Sequence, residues 1–173
     1  MKKYIILFFL LIITRFYAIE PLSDGYKDIK LGMSMDQVKA LLQKSGDFIQ
    51  KKEEVLITRL EPDTKIISVE GVGFIIYAYF HFENDKLFQI FLKISDSKIG
   101  YYFLLRKLTS KFGNPKKFNP KKAIWENDNT RIILEKPCNL KYIYLPVWND
   151  IIKNEEKRED IIKIIREKFG DDL

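Results

Sequence analysis

FIIYAYFHFENDKLFQIFLKI, residues 74–94, decides how this chain folds. Phe74, Ile76, Ala78, Phe80 and Phe82 alternate along a first arm, and Phe88, Ile90, Leu92 and Ile94 alternate along a second. Period-two alternation marks strands with one buried face, so the stretch predicts an antiparallel hairpin. The turn length decides whether both apolar sets share that face. A two-residue loop at Asn84-Asp85 pairs Phe82 with Leu87 and sends the sets to opposite faces. A three-residue loop, Asn84-Asp85-Lys86, pairs Phe82 with Phe88 and Phe80 with Ile90. A one-residue slip inverts a strand's buried face, so the longer loop, a common hairpin type, is expected.

Working outward, Ser34-Met35-Asp36-Gln37 reads as a helix start, with Ser34 as cap and Gln37 completing a capping box. Met35, Val38, Leu41 and Leu42 then share one helical face, and Gly46 is expected as the left-handed stop. Val55 to Leu60 and Lys65 to Val69 read as strands around the turn Glu61-Pro62-Asp63-Thr64. Beyond the hairpin, Tyr101, Leu105, Leu108 and Phe112 form a buried stripe on a helix from Ile99 to Phe112, ended by Gly113 and Pro115. Ala123 to Glu126, Thr130 to Lys136 and Leu140 to Val147 predict three more strands. Pairing Trp125 with Ile132 sets Glu126 opposite Arg131 and Lys122 opposite Glu135, matching charges across the pair. Lys153 to Asp160 leads into Ile161, Ile162, Ile165 and Phe169, an amphipathic C-terminal helix (151–173) expected to pack on the sheet.

Runs of strands between single helices define an α+β fold: an antiparallel sheet with helices packed on one face. "VKALLQKSGDF" (38–48) and "LLRKLTSKFGNPKKF" (104–118) both run from an amphipathic helix through a Gly into a strand. They suggest two half-repeats, about 29–97 and 98–150, inside one domain of residues 19–150.

The N-terminus has a different character. Met1-Lys2-Lys3 precedes the apolar run Tyr4 to Ile13, and Ala18 follows. This is the layout of a secretory signal peptide, residues 1–18. Phe16 at −3 and Arg15 are unusual there, so the alternative is an uncleaved anchor through residues 4–17. Either reading exports the remaining 155 residues, with the periplasm as the expected compartment. Lys2, Lys3 and Arg15 are three of the thirty Lys and Arg, so the mature balance is 27 against 24 acids. That modest excess, together with export, argues against nucleic acid as a partner. Cys138 is the single cysteine. No internal disulfide can form, and the core alone must hold the fold.

"IKLGMSMDQVKALL" (29–42) resembles the opening of the BamE-like envelope proteins, and "LTSKFGNPKK" (108–117) resembles their helix-end Gly-x-Pro. The tandem arrangement is similar to that of the β-lactamase inhibitory protein, whose halves each place helices on an antiparallel sheet. The resemblance implies a non-catalytic, exported α+β domain that works by binding other proteins. The chain departs from the BamE-like pattern in lacking an N-terminal lipid-bearing Cys, so tethering by lipid does not carry over.

Catalytic and metal chemistry find little footing. His81 is the only histidine, and no nucleophile-elbow motif accompanies it. One His and one Cys do not make an ordinary zinc site. No Gly-rich phosphate loop or calcium-loop spacing occurs. No catalytic, cofactor or metal residues are therefore expected. Two surfaces are better candidates. One is the outer hairpin face of Tyr77, Tyr79, His81, Phe91 and Lys93, aromatic anchors beside polar groups. The other is the basic loop Lys116, Lys117, Lys121 and Lys122, interleaved with Phe118 near Trp125, suited to an acidic partner or peripheral contact with an anionic membrane surface. The expected function is a non-enzymatic envelope binding or assembly protein with envelope proteins as partners. The alternative is an envelope hydrolase or lipid-interacting protein using His81 or a carboxylate pair.

Overall fold

The computed structural model describes residues 20–49 and 64–171. The signal or anchor segment, the strand expected at Val55 to Leu60 and most of its turn lie outside the described residues. After a small hairpin of β1 (Gly25–Tyr26) and β2 (Ile29–Lys30), helix α1 (Met35–Lys44) leads into β3 (Phe48–Ile49), β4 (Thr64–Gly71), β5 (Ile75–Glu83) and β6 (Lys86–Ile94). Helix α2 (Tyr101–Phe112) leads into β7 (Lys117–Asn119), β8 (Lys122–Glu126), β9 (Thr130–Glu135) and β10 (Asn139–Tyr144), and α3 (Leu145–Asp171) closes the chain. The main sheet runs β3-β4-β5-β6-β10-β9-β8-β7, antiparallel throughout. Each of α1 and α2 is thus followed by four antiparallel strands, and the two sets join where β6 pairs with β10.

Helix α1 starts as its sequence predicts. Ser34 Oγ accepts from the Gln37 amide while Gln37 Oε1 accepts from the Ser34 amide. Met35, Val38 and Leu42 are buried, and Leu41 packs beside them. The stop differs. Ser45 is the C-cap in extended conformation, and Gly46 does not adopt positive φ. Chain reversal into β3 therefore needs no left-handed residue. Helix α2 does end on a left-handed glycine, Gly113, at φ 79°. Leu104, Leu105, Leu108 and Phe112 pack behind buried Tyr101. Both helices cover the sheet face carrying Ala78, Phe80, Phe82, Ile90, Leu92, Trp125, Ile132 and Leu134, all at most 2% exposed. Burying each large side chain contributes roughly 1.5–3 kcal/mol.

The central hairpin corrects the expected loop. Glu83 pairs with Lys86 around a two-residue turn, with Asn84 at φ 49° and Asp85 at φ 60°. Left-handed conformation at both central residues is the type I′ signature, and Asn and Asp tolerate it best after Gly. Phe82 pairs with Leu87, while His81 pairs with Gln89 and Phe80 with Ile90. Phe88 is the extra residue of a bulge, which restores the face that the short turn would invert. Leu87 joins the core in place of Phe88. A second irregularity between Ile75 and Tyr77 shifts the other end. Ile75 packs against the core there, whereas Phe74 and Ile76 are exposed, contrary to simple alternation.

Asp85 also fastens the turn to α1. Its Oδ1 accepts from the Met35 amide at 3.1 Å, an otherwise orphan helix donor. Asp85→Gly, which keeps the turn conformation but loses this bond, is expected to cost about 1 kcal/mol, the usual worth of such a cap. Asp85→Ala should cost more, because Ala is strained at positive φ. Urea midpoints of the two variants check the order.

The second half follows its predicted register. Trp125 pairs with Ile132, Glu126 with Arg131 and Lys122 with Glu135. The last strand, however, ends at Tyr144 rather than Val147. Leu145-Pro146-Val147-Trp148 forms the first turn of α3, where Pro is favoured because its missing N–H would be unpaired anyway. The helix therefore begins six residues before the expected 151. Its start lies against β6 and β10, with Trp148 on Phe88. The expectation that its apolar stripe packs on the sheet is also overturned: Ile161, Ile162, Ile164 and Ile165 are exposed. A helix of this length carries that stripe beyond the sheet.

Candidate functional site

Alternation from the buried residues sends Tyr77, Tyr79 and His81 of β5 to the face opposite α1 and α2. Cross-strand pairing places Lys93 beside Tyr77, Phe91 beside Tyr79 and Gln89 beside His81. On the next strand, Lys141 lies beside Phe91. All five residues expected at this face are thus brought together, and all are half-buried. Tyr77 and Tyr79 both stack on Phe91, with centroids 6.2 and 5.9 Å away. Tyr79 meets His81 edge-on at 6.4 Å, and His81 meets Phe88 at 6.1 Å. Trp148 then closes the row, 6.3 Å from Phe88.

Two members of this surface escape simple alternation. Phe88 arrives through the bulge, and Trp148 through the early start of α3. Lys141 was within reach of the period-two pattern of β10. Its ammonium sits 5.9 Å from the Phe91 centroid and donates to Glu135 at 2.8 Å. Glu135 also pairs with Lys122 at 2.9 Å. Burial pushes the Glu135 carboxyl up, but hydrogen bonds from Lys141 and Lys122 outweigh it and hold the group below its ordinary value. This clasp ties β8, β9 and β10 together beside the aromatic row.

Burial lowers the pKa of His81 from its ordinary 6.5. The imidazole is therefore neutral at pH 7 and contacts rings. In the unfolded chain it gains a proton as pH falls through 6.5, while the folded state resists protonation. Stability is thus complete above that value and declines as pH falls below it. The His81→Gln protein should show a flatter urea midpoint between pH 7 and pH 5 than the native protein. An unchanged slope would mean that His81 is solvated in the folded state.

The basic loop is divided. Lys116 pairs with Glu126 at 3.1 Å and Lys122 with Glu135. Arg131 also donates to Glu126, and these bonds, Arg131 first, hold its carboxyl below the usual range. Lys117 and Lys121 are exposed on the β7–β8 hairpin with Phe118. Trp125 does not join them: it is buried, and its indole donates to the Gly113 carbonyl at 2.8 Å. Cys138 is buried too, with its thiol donating to the Ile99 carbonyl at 3.3 Å and its pKa raised by burial. Among the described residues, no group of three His, Cys, Asp or Glu could hold a metal ion. No helix among them is long and apolar enough to cross a membrane.

An eight-stranded antiparallel sheet, backed by two helices and bearing an aromatic row on its other face, defines an α+β domain. Residues 24–154 match the TP0088 domain. The chain belongs to that family, and the match spans both helix-plus-strands halves and ends early in α3. Comparison with curated proteins and with solved structures finds no match.

Proposed function

We propose that this chain is a non-enzymatic, exported binding or assembly protein of the cell envelope that captures a protein partner on its aromatic sheet face. The stacked cluster of Tyr77, Tyr79 and Phe91, flanked by Lys93 and Lys141, is the observation that carries this reading. Half-buried aromatics are held rigid by their neighbours, so little side-chain entropy is lost on binding. Lys93 and Lys141 favour a partner surface with carboxylates beside an apolar group. The N-terminal segment supports an envelope location. An assembly scaffold and an inhibitor of a secreted enzyme both fit this surface.

A photo-reactive residue at position 79 tests the reading in native cells, with position 44 on α1 as control. A discrete adduct from position 79 and none from position 44 is expected. Adducts from position 44 alone would move the binding surface to the helix side.

A further inference from the structure

We propose that the outward face of α2 rests on an anionic phospholipid surface, turning the aromatic sheet face away from the bilayer. The charge distribution motivates this first. From Ser97 to Trp125 the chain carries eight Lys and Arg and no acid, although it has 24 acids in all. A polybasic stretch of this kind is attracted to anionic headgroups.

The shape of α2 fits such a surface. Its inward stripe of Tyr101, Leu104, Leu105, Leu108 and Phe112 is committed to the core. At 100° per residue, Phe103 lies opposite that stripe, with Arg106 and Lys107 on either side of it. Phe103 is 40% exposed and its neighbour Tyr102 66% exposed. The Arg106 guanidinium lies 5.9 Å from the Phe103 centroid and the Lys107 ammonium 5.7 Å. An exposed ring between two cations can enter the headgroup region while the cations meet phosphates. Phe118, 60% exposed, adds a second apolar contact on the same side, because its strand partner Ala123 points into the core beneath the helices.

Neighbouring acids offset only part of this charge. Glu20 pairs with Lys111 at 3.3 Å, Glu126 with Lys116 and Glu135 with Lys122. Arg106 and Lys107 have no carboxylate partner among the described residues.

The entry of the chain gives an independent argument. The Glu20 amide donates to the Lys111 carbonyl at 2.9 Å, which fixes the start of the domain at the C-terminal end of α2. Only Thr14 to Ile19 separate Glu20 from the apolar run Tyr4 to Ile13. Six residues reach at most about 21 Å. Insertion of that run into a bilayer would therefore keep the C-terminal end of α2 within this distance of the lipid.

The test uses the full-length chain on vesicles of phosphatidylcholine alone or mixed with phosphatidylglycerol. Lysine reactivity toward a water-soluble acylating reagent is read by mass spectrometry. Lys107 should react about fivefold more slowly on the anionic vesicles, while Lys93 on the opposite face reacts equally on both. High salt should restore Lys107. The double variant Phe103→Ser/Arg106→Gln, altered only at exposed positions, should fold normally and lose the protection. Equal Lys107 reactivity on both vesicles would overturn the proposal, even if the N-terminal run inserts in both. Protection of Lys93 instead of Lys107 would overturn it as well.

Discussion

The Tyr79→Ala/Phe91→Ala protein is expected to lose capture of its partner while remaining folded. The two rings stack at 5.9 Å on the face away from α1 and α2, and both are half-buried. Their loss removes the centre of the aromatic row and leaves Lys93 and Lys141 with no apolar surface between them. Aromatic anchors often cost about 2 kcal/mol or more each when truncated. Two together amount to roughly a thousandfold in affinity, since each 1.4 kcal/mol is tenfold. The core beneath is carried by Phe80, Ile90 and Leu92, which are at most 1% exposed. Pull-down with the partner found by photo-crosslinking, alongside thermal unfolding, separates the two effects. Should the double variant melt like a core deletion, that face is structural and the binding surface lies elsewhere, first at Lys116 to Lys122.

The core deletion for that comparison is Phe80→Ala, with the largest expected stability effect. Phe80 is fully buried, pairs with Ile67 and Ile90 across its two neighbouring strands, and meets Phe48 edge-on at 5.8 Å. Phe48 in turn meets Tyr26 at 6.0 Å, so the ring links β5 to the sheet edge and to the β1–β2 hairpin. Removing it leaves a cavity between strands that cannot collapse without breaking their pairing. The expected cost is roughly 3–5 kcal/mol, a large share of the 5–15 kcal/mol that holds a domain of about this size. A urea midpoint shift that leaves the slope unchanged would show the loss to be one of stability alone.

Much of this architecture was legible in residues whose consequences are local. The Ser34–Gln37 box, the Met35–Val38–Leu42 stripe, the Gly113 stop and the Trp125–Ile132 register depend on neighbours a few positions away. Helix period, strand period and charge matching report such relations directly. The same period-two reading placed Tyr77, Tyr79, His81, Phe91 and Lys93 on one face, because strand geometry fixes that irrespective of what packs nearby.

Where competing local rules met, the tertiary structure chose. Asn84-Asp85 suits a two-residue turn, while the apolar pattern demands a shared face. The sequence offers a longer loop as the simple reconciliation. The fold keeps the tight turn and absorbs the extra residue as a bulge at Phe88, because Asp85 is needed at the α1 start and Leu87 fills the core beneath it. Phe88 is then free to meet Trp148, which no periodicity could reveal. The fate of the Leu145–Val147 segment was hidden for a similar reason. Its apolar residues satisfy either a strand or a helix, and only the room beside β6 and β10 decides in favour of the helix. The sequence by itself thus determined the α+β class and the grouping of Tyr77, Tyr79, His81, Phe91 and Lys93 on one sheet face. The tertiary structure decided which rings touch and which side of α2 is left for another surface, since both depend on contacts between residues distant in the chain.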